Sequence, residues 1–409
     1  MNRTEHKWLA YLVGFAIIVQ DSLRTIPGLG QAQAVITIII AVAVIGVSIA
    51  NSIAGQMPSS QDKPNFHLVL FGAFLAWSIL KLVLEPRLSG FQNVLVWALI
   101  PFCIALGVRS SSTQMSSKLV SISKKAITVA SVLYLGSIIA QTLGFLTTPI
   151  YSTRSAGWVF ALALAFLAPT LVIEKSIRFS VLPFLCVVTT LSRTAGLVAL
   201  LAISIMLVLK YTKSQLDNPK KLARSIVLSV AALSSISWLV FSYSDAVQSR
   251  FIGGDNFYLG DLQFNTSGRG TIWALVINNA QQHSLFGSSP GNSQDLVSAF
   301  FAGQVEHPHN EYLRIWNDLG IVGLALWLLA WGATLVFLAK RIVAATNSKD
   351  RALGLGGTLV VLGFLGGCLT DNVSIYYFLI IPVSVIVGVL SRPQVVDPHV
   401  SPMNRSVLR

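Results

Sequence analysis

The chain has 409 residues, of which 54% are hydrophobic and only 11% charged, and its formal charge is +13. That charged fraction is less than half of what a soluble globular domain carries, and apolar runs of about 17–25 residues recur throughout, each long enough to cross a bilayer as a helix. A nucleic-acid partner is excluded as the meaning of the positive charge: the cations sit mainly in short loops between apolar runs, with no aromatic-interleaved basic segment and no zinc-finger spacing.

Arg3 and Lys7 precede an apolar stretch from Trp8 to Val19 that has the look of a signal peptide, but the small-residue stretch Ala32-Gln33-Ala34 lies well beyond it, past Pro27. The segment is therefore expected to be a retained first helix. Further spans are expected near 32–50, 66–84, 91–107, 126–146, 155–173, 179–191, 194–210, 225–242, 312–338, 352–370 and 375–391, the first and seventh being short. Cys103, Cys186 and Cys368 all fall inside apolar runs and are expected to be small core residues rather than a disulfide framework.

Alternate connections collect the cations: Arg109, Lys118, Lys124 and Lys125; Lys175 and Arg178; Lys210, Lys213, Lys220, Lys221 and Arg224; Lys340, Arg341, Lys349 and Arg351. With both termini on that side, about 21 of the 29 basic residues become cytoplasmic. The expectation is an all-α polytopic membrane protein of about twelve transmembrane helices, with N and C termini cytoplasmic and one large external loop. In those terms residues 1–150 are N-terminal membrane helices and 151–242 central ones. The large loop is 243–311, C-terminal helices follow at 312–391, and 392–409 is a cytoplasmic tail.

On the external side remain Arg24, Arg87, Arg154, Arg193, Arg250 and Arg269, with Lys81 and Arg314 near helix ends. Glu85 and Asp245 are candidate partners for some of them. Arg193, flanked by hydroxyls between two apolar runs with no room for a real loop, is placed either to grip a phosphate oxygen through its planar fork or to snorkel toward head groups. Arg269 lies between Gly268 and Gly270, which permit close approach of an anion, although a plain surface turn also fits. Residues 270–283 are expected to form a short amphipathic helix with Ile272, Leu275, Val276 and Ala280 on one face, able to lie along the membrane surface.

The stretch from Val305 to Leu324 crowds His307, His309, Asn310, Glu311, Arg314, Asn317 and Asp318 against the start of an apolar run. Helical spacing puts His309, Leu313, Trp316, Gly320 and Gly323 on one stripe and Asn310, Arg314 and Asn317 on the next, with the two glycines admitting a neighbouring helix. His309 is suited to general acid or base work near neutrality; a helix-capping cluster built on Asn310 fits the same residues. His283, His307 and His309 together would make a zinc site only if the backbone at His307-Pro308-His309 were extended, and no metal is expected.

These residues carry a resemblance. Leu191-Ser192-Arg193-Thr194-Ala195, Ser267-Gly268-Arg269 with Trp273, Gly287 with Pro290-Gly291-Asn292, and above all His309-Asn310-Glu311-Tyr312-Leu313 leading to Leu319-Gly320-Ile321 and Gly323-Leu324 resemble the O-antigen ligase and O-antigen polymerase superfamily of bacterial membrane glycosyltransferases. The likeness extends over residues 150–380; the first 150 match only in being apolar. It implies transfer of a glycan from undecaprenyl diphosphate to an acceptor hydroxyl at the periplasmic face of the inner membrane. No metal, cofactor or nucleotide sugar is implied. By matched motif, Arg193 and Arg269 hold the diphosphate and His309 stands beside the acceptor; Arg154, Asn310 and His307 are possible supporting residues. The acceptor is either a lipid A core sugar (ligase) or the end of another lipid-linked glycan (O-antigen or exopolysaccharide polymerase). A transporter or flippase would favour an inverted repeat with broken mid-membrane helices, and no such repeat is evident.

Overall fold

A computed structural model describes residues 7–22, 30–53, 65–211, 218, 220–224, 227–231, 235, 256–259, 262–265 and 269–391. Those residues are overwhelmingly helical. In chain order the helices are α1 Trp8–Val19, α2 Gly30–Ile53, α3 Phe66–Leu84, α4 Leu88–Ser110, α5 Thr113–Thr142, α6 Thr153–Ile173, α7 Val181–Thr190 and α8 Arg193–Tyr211. After an antiparallel hairpin, β1 Asn256–Leu259 with β2 Leu262–Asn265, come α9 Gly270–Gln282, α10 Asn292–Phe300, α11 Glu311–Ala344, α12 Ser348–Cys368 and α13 Tyr377–Leu390. Short 3-10 turns at Ile177–Ser180 and Val373–Ile375 lead into α7 and α13.

Among the described residues seven helices, α3, α4, α5, α6, α8, α11 and α12, are long and apolar enough to cross a membrane. Four shorter apolar helical stretches, Trp8–Val19, Val35–Asn51, Ile177–Thr190 and Tyr377–Leu390, coincide with further expected spans. The expected span at 225–242 falls mostly outside the described residues. Lys118, Lys124 and Lys125, expected in a connection, lie instead on the first half of α5, which Ser112 starts by accepting a hydrogen bond from the Met115 N–H. At 30 residues α5 is about 45 Å long, so its polar first half extends past the apolar layer.

Packing follows the apolar pattern. α13 packs on α4, α12 on α6, α6 on α8, α1 on α5 and α11 on α3, and α6 is buried along nearly its whole length. Trp97, Trp158, Trp327 and Trp331 fill the interior, with Phe74 edge-on to Trp97 and Phe71 edge-on to Trp331. The three cysteines are buried free thiols.

Contacts between connections sort into two ends of the bundle. At one end basic side chains meet helix carbonyls: Arg341 donates to Leu390 O and Arg351 to Ala345 O, both at helix C-termini, and Arg109 donates to Ser48 O within α2. At the two C-termini the cations meet the negative end of the helix dipole and satisfy carbonyls that a helix leaves unpaired. The opposite end carries α9, α10 and the residues described next.

Candidate functional site

Residues 243–311 were expected as one large external loop, and the described part holds the β1–β2 hairpin, α9 and α10. α9 buries Ile272, Val276 and Ala280 on one face, as its spacing predicts. It packs against α11, however, and Val297 of α10 completes the small cluster with Ile272 and Val276.

α11 departs from the expected stripe. Asn310 is its N-cap, accepting from the Leu313 N–H at 3.1 Å, so His309 precedes the helix, in a left-handed conformation with φ 53°. Ten residues after Asn310 the helix breaks at Gly320, with φ 71° and ψ −174°. The freed backbone groups take partners from the loop: Ile321 N–H donates to Ser284 O at 2.9 Å, Val322 N–H to Leu285 O at 3.2 Å, and Ser288 N–H donates to Asn317 O at 3.0 Å. A Cβ on Gly320 would lie 2.3 Å from Leu285 O, so this glycine admits the loop, not a neighbouring helix. A Cβ on Gly323 would meet only Leu319 of the same helix. α11 is thus a short arm, 311–319, set on a long span, 321–344.

The arm holds the polar crowd that the sequence puts at this boundary. Arg314, expected near the external surface, is fully buried, 3.2 Å from Glu311 and with its guanidinium 5.0 Å from the centre of the Trp97 ring. Asp318 accepts from the N–H groups of Gly291 and Ser293 at 2.9 and 2.8 Å, which fastens the start of α10 to the arm. Arg87 pairs with Asp295 at 3.2 Å; of the two carboxylates expected as partners for external arginines, Asp245 lies outside the described residues.

Above the arm, His309 meets two groups from distant parts of the chain. Its Nδ1 is 3.2 Å from Asp371 Oδ1, and Arg154 Nη1 lies 3.2 Å from Nδ1 and 3.3 Å from Nε2. Arg154 Nε is 3.8 Å from Asp371 Oδ2. A proton on Nδ1 satisfies this geometry: Nδ1–H donates to the carboxylate and Nε2 keeps its lone pair, facing Arg154. Burial by itself raises the Asp371 carboxyl. The hydrogen bond from His309, the charge of Arg154 and the Asn372 N–H outweigh it and hold the group below the usual carboxylate range.

The neighbouring Thr370 gathers the remaining arginines. Its carbonyl accepts from Arg269 Nη1 at 2.5 Å, and its hydroxyl donates to the Thr194 hydroxyl at 2.9 Å, one residue from Arg193. Arg193 begins α8 at the tip of the α7–α8 hairpin, whose turn is made by Leu191 in a left-handed conformation. Residues 177–190 span only about 20 Å, and the tip packs against Gly157, where a Cβ would meet Thr190 Oγ1 at 2.9 Å. Gly157 is about one turn below Arg154 on α6. Burial lowers the pKa of Arg269, and the charges of Arg154 and Arg193 lower it further against the opposing pull of Asp371. Three guanidinium groups that repel one another around one turn form a place where an anion is favoured.

Arg154, Arg269 and His309 are therefore assembled around Thr370 and Asp371, with Arg193 beside them. Asn310 serves as a cap. Trp273 Nε1 donates to Pro308 O at 2.9 Å and so anchors the segment carrying His307 and His309. His283, His307 and His309 do not converge: among the described residues no three His, Cys, Asp or Glu side chains gather at metal-binding distance. Asp371 was missed at the sequence level, although it is the one carboxylate in residues 352–391.

Residues 178–328 match a family model described as O-Antigen ligase. No curated protein matches the chain. The match supports the resemblance to the O-antigen ligase and polymerase superfamily read from the motifs.

Proposed function

We propose that this protein belongs to that superfamily and transfers a glycan from undecaprenyl diphosphate to an acceptor hydroxyl, in the manner of an O-antigen ligase. The observation that carries this reading is the meeting of Arg154, Arg269 and His309 at the Thr370–Asp371 turn, with Arg193 one residue from Thr194. The bond that breaks joins the anomeric carbon to a phosphate oxygen, and negative charge builds on the departing diphosphate. Fixed guanidinium groups stabilise that charge more in the transition state than before it. His309 Nε2 takes the proton of the acceptor hydroxyl as its oxygen attacks the anomeric carbon, while Asp371 holds the ring and stabilises the imidazolium that forms. The reading calls on no metal, nucleotide sugar or other cofactor. The donor's prenyl chain stays in the bilayer, which fits a chain this hydrophobic.

In this reading the end bearing the arginines and His309 faces the periplasm, both termini are cytoplasmic, and the protein resides in the bacterial inner membrane with about twelve spans. The sorting of Arg109, Arg341 and Arg351 to the other end supports that orientation. A transporter would put its broken helix and buried charges near mid-membrane; here the Gly320 break and the Glu311–Arg314 pair lie beside the connections at the site end.

The test is complementation in cells lacking the native gene. Arg269→Ala and His309→Ala are expected to leave lipid-linked glycan unconsumed while inserting normally; wild-type product from both would overturn the assignment. The product that disappears separates the readings: core-attached glycan identifies a ligase, and long chains a polymerase of O-antigen or exopolysaccharide.

A further inference from the structure

Two of the groups around His309, Arg154 and Asp371, come from segments that converge on one further point, the end of α1. Tyr151 Oη donates to Ile18 O at 2.5 Å, and Tyr377 Oη donates to Gln20 O at 3.1 Å. Gln33 Nε2 also donates to Gln20 O, at 2.9 Å. Beside them the Asp21 carboxylate, 5% exposed, grips Ser152 with both oxygens: the Ser152 N–H donates to Oδ1 at 3.3 Å and its hydroxyl to Oδ2 at 2.5 Å. Ser152 is the N-cap of α6, its Oγ accepting from the Ser155 N–H, and Arg154 stands two residues further on. Tyr377 stands six residues after Asp371, across the short 3-10 turn.

Such a carboxylate is well placed energetically. The N-terminus of α6 presents unpaired N–H groups and the positive end of its dipole, and a charged acceptor makes stronger hydrogen bonds than a neutral one. Without it, the half-buried Ser152 N–H loses its partner, the Ser152 hydroxyl keeps only Ser155 Oγ, and the first turn of α6 loses its anchor.

Resting on the proposed transfer reaction, we infer that Asp21 is a positioning residue for that reaction, setting Arg154 against His309 and the donor diphosphate through Ser152. It lies far outside the segment shared with the family model, in a part of the chain whose sequence reads only as apolar. Arg154 reaches His309 across an exposed surface, so its reach is set by where the first turn of α6 is held. A misplacement of about 1 Å at such a group lowers a rate by up to about 100-fold.

The test uses the full-length protein in lipid nanodiscs, with transfer from a lipid-linked donor and binding of undecaprenyl diphosphate as separate readouts. Asp21→Ala is expected to lower kcat about tenfold, and Ser152→Ala, a milder change that keeps the fold if Asp21→Ala does not, to act in the same direction. Each is expected to add less than twofold, in transfer or in binding, when made in an Arg154→Lys background. Equal losses in both backgrounds, or wild-type transfer by both variants, would overturn the inference. If Arg154→Lys itself leaves transfer and binding at wild-type levels, Arg154's place in the proposed reaction falls too. If it lowers them while the other two variants do not, only Asp21's role falls.

Discussion

Asp371 and His309, 62 residues apart in the chain, are joined by a 3.2 Å contact from carboxylate to Nδ1. That contact fixes which ring nitrogen keeps its lone pair. Asp371→Asn preserves the shape but offers an amide that holds neither the tautomer nor the imidazolium. It is expected to lower the transfer rate by about 100-fold or more with the protein still in the membrane. Single-turnover measurement with a lipid-linked donor checks this; a loss under twofold would remove Asp371 from the reaction.

The same carboxylate sets a pH dependence. Its pKa in the folded protein is held below the usual value of about 3.9, so its interactions contribute stability that is fully present above that usual value. The contribution is lost as pH falls through the depressed folded value. The stability gap between wild type and Asp371→Asn is expected to be constant from about pH 7 to pH 5 and to shrink below about pH 4. Thermal unfolding in detergent across that range measures it; a gap that widens in acid would contradict the sign.

Arg269 already spends one donor on Thr370 O. A planar fork can do so and still present other N–H groups to a phosphate, whereas an ammonium on a flexible stem meets both demands poorly. Arg269→Lys is expected to raise the donor KM about tenfold or more, read from steady-state transfer at saturating acceptor. An unchanged KM would place the diphosphate elsewhere.

Breaking the buried pair beneath the site has a different signature. Arg314→Met leaves Glu311 buried without its partner and is expected to cost about 3–5 kcal/mol of stability, whereas Arg314→Met with Glu311→Gln is expected to recover much of that loss. Chemical denaturation of the two variants makes the comparison.

Gly320→Ala forces a Cβ toward Leu285 O in a conformation that disfavours side chains, a strain of roughly 1–3 kcal/mol before any clash. Gly332, on the same helix with open space around it, is the control, and its alanine variant is expected to be neutral. Equal stability of the two variants would mean that the break at Gly320 is not required.

The helices were legible because apolar runs of spanning length have few alternatives, and α9 was legible from the spacing of Ile272, Val276 and Ala280. The stripe drawn through His309 and Gly320 was not. Spacing arguments assume one uninterrupted helix, whereas Asn310 starts the helix after His309 and Gly320 ends its first segment with partners supplied by residues 284–288. Arg314 looked external because charge near a helix end usually is; its partners, Glu311 one turn before it and Trp97 from α4, become visible only when the arm is seen to be buried. Arg193, Arg269 and His309 were singled out by motif. Asp371 and Asp21 make contacts across 62 and 131 residues, which spacing along one strand of sequence does not encode.

The break at Gly320 also bears on how the protein is made. When the helix from Ile321 onward leaves the translocon, the amides of Ile321 and Val322 face the membrane boundary without partners until Ser284 and Leu285 dock. Insertion of the last three helices therefore does not finish the molecule; closure of the preceding loop onto the nascent bundle does. A chain nicked or stretched between α9 and α10 would still thread the bilayer, yet the end bearing His309 would remain unassembled.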